Sequence, residues 1–215
     1  MRFNIISVFF LGSCLLSMSC QHSFSDKRLP ILGPREAAGA ADKAEGVDTI
    51  YHKIPDFSFL NQDSSIITQE IFDNSIYIAD FFFTSCPSIC PIMHRNMLKV
   101  YKKYKGNKNV MFLSHSIDPK YDTPSVLKVY AKKLGVEGNQ WQFATGSRED
   151  IYGIASSYLV FTPVEDKNAP GGFEHQGWFI LVDKDKQIRG AYDGTNDQQI
   201  EKLLEEMEIL LAEYQ

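Results

Sequence analysis

At 215 residues the chain has room for one domain of ordinary size with extensions, and its 44% hydrophobic and 23% charged residues exclude both wholesale disorder and a multi-span membrane protein. A net charge of −5 argues against a dedicated nucleic-acid binder, which would carry a basic face. The four cysteines, Cys14, Cys20, Cys86 and Cys90, fall as two pairs in unlike surroundings.

Residues 1–20 read as an export signal. Met1-Arg2 gives a positive start and Phe3 to Leu16 is almost continuously apolar, the length of a signal-peptide core and short for a bilayer span. Ser19 before Cys20 resembles the bacterial lipoprotein cleavage box, in which the cysteine becomes the lipidated first residue. Leu16 sits one place early for that box. Leu11-Gly12-Ser13-Cys14 fits it better but leaves a very short apolar core, so Cys20 is favoured over Cys14. The alternative is that both cysteines are passengers in a discarded signal or an uncleaved anchor. Cutting before Cys20 removes only Arg2 among the charged residues, and 21 basic against 27 acidic side chains leave a mature charge of −6.

Residues 21–49 are polar and small, with Pro30, Gly33, Pro34 and the run Ala37 to Ala41, which is the composition of a flexible tether. Residues 50–215 then form one domain, expected to be a monomer hanging from a bacterial membrane and facing the periplasm. Its β-rich stretches are Phe57 to Leu60, Ile66 to Thr68 and the very apolar Ile76 to Phe83. Met93, Met97, Val100, Tyr101 and Tyr104 recur at helical spacing from Pro91 until Gly106. Asn109 to Ile117 reads as a strand, Pro124 to Leu134 as a helix, Trp141 to Thr145 as a strand and Arg148 to Tyr158 as a helix. Trp178 to Val182 and Gln187 to Tyr192 read as a hairpin. A terminal helix follows, with Ile200, Leu203, Leu204, Met207, Leu210 and Leu211 on one face. Alternating strands and helices closed by a hairpin and a helix describe an α/β fold, a thioredoxin-like three-layer sandwich with an N-terminal β extension.

The second cysteine pair lies in Phe83-Thr84-Ser85-Cys86-Pro87-Ser88-Ile89-Cys90-Pro91, where the central strand runs into a helix. A proline after each cysteine disfavours the helical conformation at the cysteine itself, so the helix is expected to start at Pro91 with Cys90 as its N-cap. There the helix dipole would lower the thiol pKa. Three uses suit such a pair. A disulfide staple is the least favoured, because three intervening residues close too small a loop to constrain the unfolded chain much. A redox dithiol or a metal site fits better.

Two thiolates make a soft but incomplete metal site, and five histidines could extend it. His22 and His52 read as solvated. His94 lies about 12 Å from Cys86 if the stretch is helical, and reads as a surface histidine. His115 alternates with Met111, Leu113 and Ile117 and reads as a packed, hydrogen-bonded core residue. His175 precedes the Trp178 strand, in a loop that lies beside the cysteine turn in a thioredoxin-like sheet; on spacing alone it reads as easily as polar surface. Asp118 and Asp122 flank an Asp-Pro turn whose simplest role is to cap the next helix. Phe81, Phe82, Phe83, Met93 and Met97 read as core.

The block Asp80 to Met93, the stretch Ser116-Ile117-Asp118-Pro119-Lys120-Tyr121-Asp122-Thr123-Pro124, and His175 ahead of Trp178 to Asp183 together resemble the Sco/SenC family of copper-binding, thioredoxin-fold proteins. The resemblance spans Asp56 to Gln215. It implies one copper ion, Cu(I) or Cu(II), on Cys86, Cys90 and His175, and a role in assembling the binuclear copper centre of cytochrome c oxidase, with an oxidase subunit as acceptor. It places Asp118, Asp122 and Glu174 near the site. Glu174 stands where many members carry aspartate, and the loop Val160 to Gly172 is longer than usual. The chemistry agrees, since thiolates suit Cu(I) and imidazole suits Cu(II), although zinc accepts the same ligands. A membrane-tethered copper metallochaperone is therefore the first expectation. An exported thiol-disulfide oxidoreductase using Cys86 and Cys90 is the alternative, and a thiol peroxidase a more remote one.

Overall fold

The computed structural model describes residues 27–39, 43, 46, 48–160, 163–174 and 176–215. Cys14, Cys20 and His22 lie outside them, as does His175. The chain order is β1 (Arg35–Ala37), β2 (Thr49–Tyr51), β3 (Ser58–Asn61), β4 (Ile66–Thr68), β5 (Ile76–Phe82), α1 (Cys90–Tyr104), β6 (Val110–Ser116), α2 (Pro124–Leu134), β7 (Trp141–Thr145), α3 (Arg148–Ser157), β8 (Val164–Glu165), β9 (Phe173–Glu174), β10 (Trp178–Val182), β11 (Ile188–Asp193) and α4 (Asp197–Ala212).

Seven strands form one mixed sheet in the order β11-β10-β5-β6-β7-β3-β4. β5, β6 and β7 run parallel, and β10 pairs antiparallel to β5. Every residue of β5 is buried, as expected of a strand covered on both faces. On one face lie His94 and Tyr101 of α1 and Tyr130 of α2, packed on Phe82, Trp141 and Phe143. On the other, Tyr158 at the end of α3 packs on Phe81, and Phe57 and Phe72 add an aromatic layer. The architecture is the expected three-layer sandwich.

The helix limits follow local chemistry. Pro124 opens α2 and Gly135 closes it in the left-handed region. Ser147 accepts from the Asp150 N–H to cap α3, and Asn196 accepts from the Gln198 and Gln199 N–H groups to cap α4. The two short ribbons, β1 with β2 and β8 with β9, have no clear signal in the sequence because runs of two or three residues carry no period.

Part of the stretch expected to be a tether is docked. Leu29 is buried, and the Arg189 guanidinium donates to the Leu29 and Pro30 carbonyls while pairing with Asp183 and Glu213. The Leu32 N–H then donates to the Ile188 carbonyl at the sheet edge. His52, expected in solvent, is half-buried and bonds the Ser157 carbonyl oxygen at 2.7 Å.

His115 is packed as expected but not hydrogen-bonded. Its ring stacks on Phe81 at 4.7 Å with Phe59 and Tyr158 around it, and neither nitrogen meets a partner. The aromatic cage that accepts the ring leaves the Asp80 backbone as its one weak polar neighbour. Burial pushes the imidazole down to about 4, against the pull of the Asp80 charge and backbone. The unfolded chain takes up this proton near 6.5, so stability is full above that value and falls as pH drops toward about 4. The gap between the two values corresponds to about 3 kcal/mol. Urea unfolding at pH 7 and pH 4.5 should therefore show His115→Phe losing about 2 kcal/mol less than the parent. An equal loss in both proteins would place the acid sensitivity elsewhere.

Candidate dithiol metal centre

Cys86 and Cys90 meet where β5 hands the chain to α1. Both are thiols and both are buried, Cys86 at 6% exposure and Cys90 at 1%. The turn is closed by the Cys86 N–H donating to the Phe83 carbonyl at 3.2 Å, and the Cys86 sulfur lies 3.6 Å from the Ser88 hydroxyl. The helix begins one residue earlier than expected, with Ile89 as N-cap, Cys90 as its first residue and Pro91 second. The Met93 N–H reaches the Ile89 carbonyl, which lets the regular turn include Cys90 despite the proline after it.

This position does not produce the low thiol pKa expected from the helix dipole. The hydrogen bond between Cys90 and Cys86 pushes the Cys90 thiol far up, burial adds to it, and a backbone hydrogen bond from Phe83 opposes them without prevailing. A helix N-terminus is worth about 1 kcal/mol to an anion, too little against these terms.

Beneath the pair lies a buried polar chain. His94, expected at the surface, is 1% exposed. Its Nε2 lies 3.2 Å from an Asp80 oxygen and its Nδ1 lies 2.8 Å from the Tyr130 hydroxyl. A carboxylate only accepts, so the Nε2–H of His94 donates to Asp80, and the Tyr130 hydroxyl bonds the other ring nitrogen. Asp80 also accepts from Ser114, whose oxygen takes the Trp141 N–H. Helical spacing puts His94 on the same face as Met93 and Met97, and these partners make its burial tolerable. The sequence signal for them was Asp80 itself, one charge in an otherwise apolar strand.

Neither aspartate of the Asp-Pro turn caps α2. Thr123 occupies the N-cap without a side-chain hydrogen bond. Asp122 is fully buried and accepts from the Thr84 N–H at 3.0 Å, from the Thr84 hydroxyl and from the Ser116 hydroxyl at 2.6 Å. It fastens the cysteine turn to the end of β6. Asp118 remains partly exposed, its carboxyl raised by burial and by the Asp122 charge.

The ribbon of β8 and β9 reaches the cysteine turn. Gly171 approaches so closely that a Cβ there would sit 2.7 Å from the Phe83 ring and 3.0 Å from Pro87, and Phe173 packs on Phe83 at 5.1 Å. Glu174 pairs with Val164 in the β8–β9 ribbon. Among the described residues no group of three His, Cys, Asp or Glu side chains could hold a metal ion, and no helix is long and apolar enough to cross a membrane.

A buried pair of thiols at the strand-to-helix turn of a three-layer sandwich is the arrangement of a thioredoxin-fold protein. The SCO1/SenC family profile matches residues 48–212, and the chain belongs to that family. It is 31% identical over 154 residues to the SCO1 protein homolog of Bacillus subtilis strain 168, covering 70% of this chain and 78% of that one. Among solved structures it is similar to a SCO1/SenC family lipoprotein from Bacillus anthracis str. Ames, with 30% identity and a TM-score of 0.68, covering 74% of this chain and 95% of that one. It is also similar to BsSco, described as having a disulfide switch and as a member of the Sco family of cytochrome c oxidase assembly proteins. That match has 28% identity and a TM-score of 0.64, and covers 75% of this chain and 94% of BsSco.

Two predictions follow from the geometry of the turn. Asp122→Ala leaves the Thr84 and Ser116 donors unpaired and should cost about 3 kcal/mol in urea unfolding at unchanged m, whereas Asp122→Asn, whose amide still accepts, should cost less than half of that. Iodoacetamide at pH 8 should modify Cys86 about tenfold faster than Cys90 by peptide mapping, because Cys90 is both deeper and held protonated.

Proposed function

We propose that this protein is a membrane-tethered copper metallochaperone that carries one copper ion on Cys86, Cys90 and His175 and delivers it to the binuclear copper centre of a cytochrome c oxidase subunit. The observation that carries the reading is the contact between two buried sulfurs at the mouth of α1. Sulfur donors select a soft cation over Mg²⁺ or Ca²⁺, which take oxygen. The seat of Gly171 on Phe83 and Pro87 supports His175 as third ligand, since it brings the chain four residues ahead of that histidine onto the cysteine turn. An imidazole added to two thiolates serves Cu(II) as well as Cu(I). Asp122, through Thr84, holds the turn so that the sulfurs keep their spacing. The relationship to a lipoprotein of the same family supports Cys20 as the lipidated residue, which would hold the domain at the outer face of a bacterial cytoplasmic membrane.

The same sulfur contact favours a second use. Exchange with an external disulfide closes a Cys86–Cys90 disulfide, leaves two external thiols and removes both sulfur ligands; two external thiols run the exchange backwards and restore them. The disulfide switch described for BsSco supports such a cycle. Copper carriage and redox state are then alternatives at one site.

Titration of the reduced protein with copper tests the assignment. One equivalent should bind with a thiolate-to-Cu(II) absorption band; Cys86→Ala and Cys90→Ala should abolish the band, and His175→Ala should weaken Cu(II) binding by at least about tenfold. Copper binding unchanged in His175→Ala, with thiol exchange intact, would overturn the chaperone site and leave the oxidoreductase reading.

A further inference from the structure

Asn96 lies on α1 six residues after Cys90 and is fully buried. Its side-chain N–H donates to the Gly194 carbonyl at 2.9 Å, and the Gly194 N–H donates to the Gly177 carbonyl at 2.7 Å. The side chain also hydrogen-bonds the Asp197 carboxylate, while its Oδ1 meets no partner. A buried amide oxygen left unpaired costs stability, so an apolar side chain would pack there at less expense unless the donors are needed.

Gly194 sits hard against its surroundings, and Gly177 lies beside the start of α1. A Cβ on Gly194 would lie 2.7 Å from Phe179 and 2.9 Å from the Gly177 carbonyl oxygen. A Cβ on Gly177 would lie 3.3 Å from Thr195 and 3.5 Å from both Ile89 and Met93, on the first turn of α1. The start of β10 is thereby seated on the helix that presents Cys90. Gly177 follows His175 by two residues, and peptide geometry keeps their Cα atoms within about 7 Å.

From these contacts we infer that Asn96 is a positioning residue for the metal centre: by holding Gly194, and through it Gly177, it fixes the base of the His175 segment to the helix that carries Cys90. The inference rests on the copper reading above. Metal bonds tolerate an error of only about 0.2 Å, so a slip between loop base and helix is felt at the imidazole ligand before it is felt by the fold. Cu(I) is satisfied largely by two thiolates, whereas Cu(II) depends on the imidazole. The effect of Asn96 therefore falls on Cu(II).

The test is a double-mutant cycle in the reduced full chain, measuring Cu(II) and Cu(I) affinity for the parent, Asn96→Leu, His175→Ala and the double variant. Asn96→Leu should weaken Cu(II) by about tenfold and Cu(I) by less than about threefold, with no further Cu(II) loss once His175 is absent. A parent-like Cu(II) affinity in Asn96→Leu, or the same loss with and without His175, overturns the inference while leaving the copper site standing. A parent-like His175→Ala instead overturns the site. Gly194→Ala keeps the Asn96 amide but crowds Phe179 and the Gly177 carbonyl, and supplies the same cycle if Asn96→Leu fails to fold.

Discussion

A carboxylate taken fully out of water must find its partners inside the protein, and at Asp122 those partners are Thr84 and Ser116. The three hydrogen bonds join the ends of β5 and β6 at the point where the chain leaves the sheet to make the cysteine turn. Without that fastening, nothing among the described hydrogen bonds would tie Thr84 to the loop after β6. Its position two residues before Cys86 means that the sulfur inherits whatever rigidity the carboxylate supplies. The Asp-Pro segment thus acts as a latch on the turn, which a reading of it as a helix cap overlooks.

The thiols do not behave as their address suggests. A helix N-terminus favours an anion by about 1 kcal/mol, which in an exposed turn would draw Cys90 toward the thiolate. Here the hydrogen bond with Cys86 acts first, burial second, and the charge of the second buried carboxylate, Asp80, adds last. Together they outweigh the dipole. Cys90 is held as a thiol, which is not the state of a fast nucleophile.

Much of this was legible in the sequence because it rests on period and punctuation. The strands Ile66–Thr68 and Trp141–Thr145 and the helix Pro124–Leu134 stand where alternation, proline and glycine put them. The apolar run that ends in Phe83 and the Cys-Pro repeat marked the strand-to-helix turn within one residue. What stayed hidden was pairing between distant side chains. His94 looks like a surface residue until Asp80 and Tyr130 are seen to meet it, and Asp122 looks like a cap until Thr84 is found above it. Leu29 sits in tether-like composition, and its reasons to dock, Arg189 and Glu213, lie 160 and 184 residues away.

The segment proposed to supply the third ligand is bounded by two glycines, both near the cysteine turn. Gly171 lies against Phe83 and Pro87 so closely that a Cβ there would clash, whereas Gly177 leaves room for ordinary contact with Ile89 and Met93 at the start of α1. The segment between them, Gly172 to Gln176, is only five residues, and it contains His175. The β8–β9 ribbon straddles the first glycine, with Arg148 pairing with Glu165 ahead of it and the Asp166 N–H meeting the Gly172 carbonyl just after it. Val164 pairs with Glu174 across that ribbon, so its second strand already belongs to the five-residue segment, and a change in the length of the ribbon bears directly on that segment.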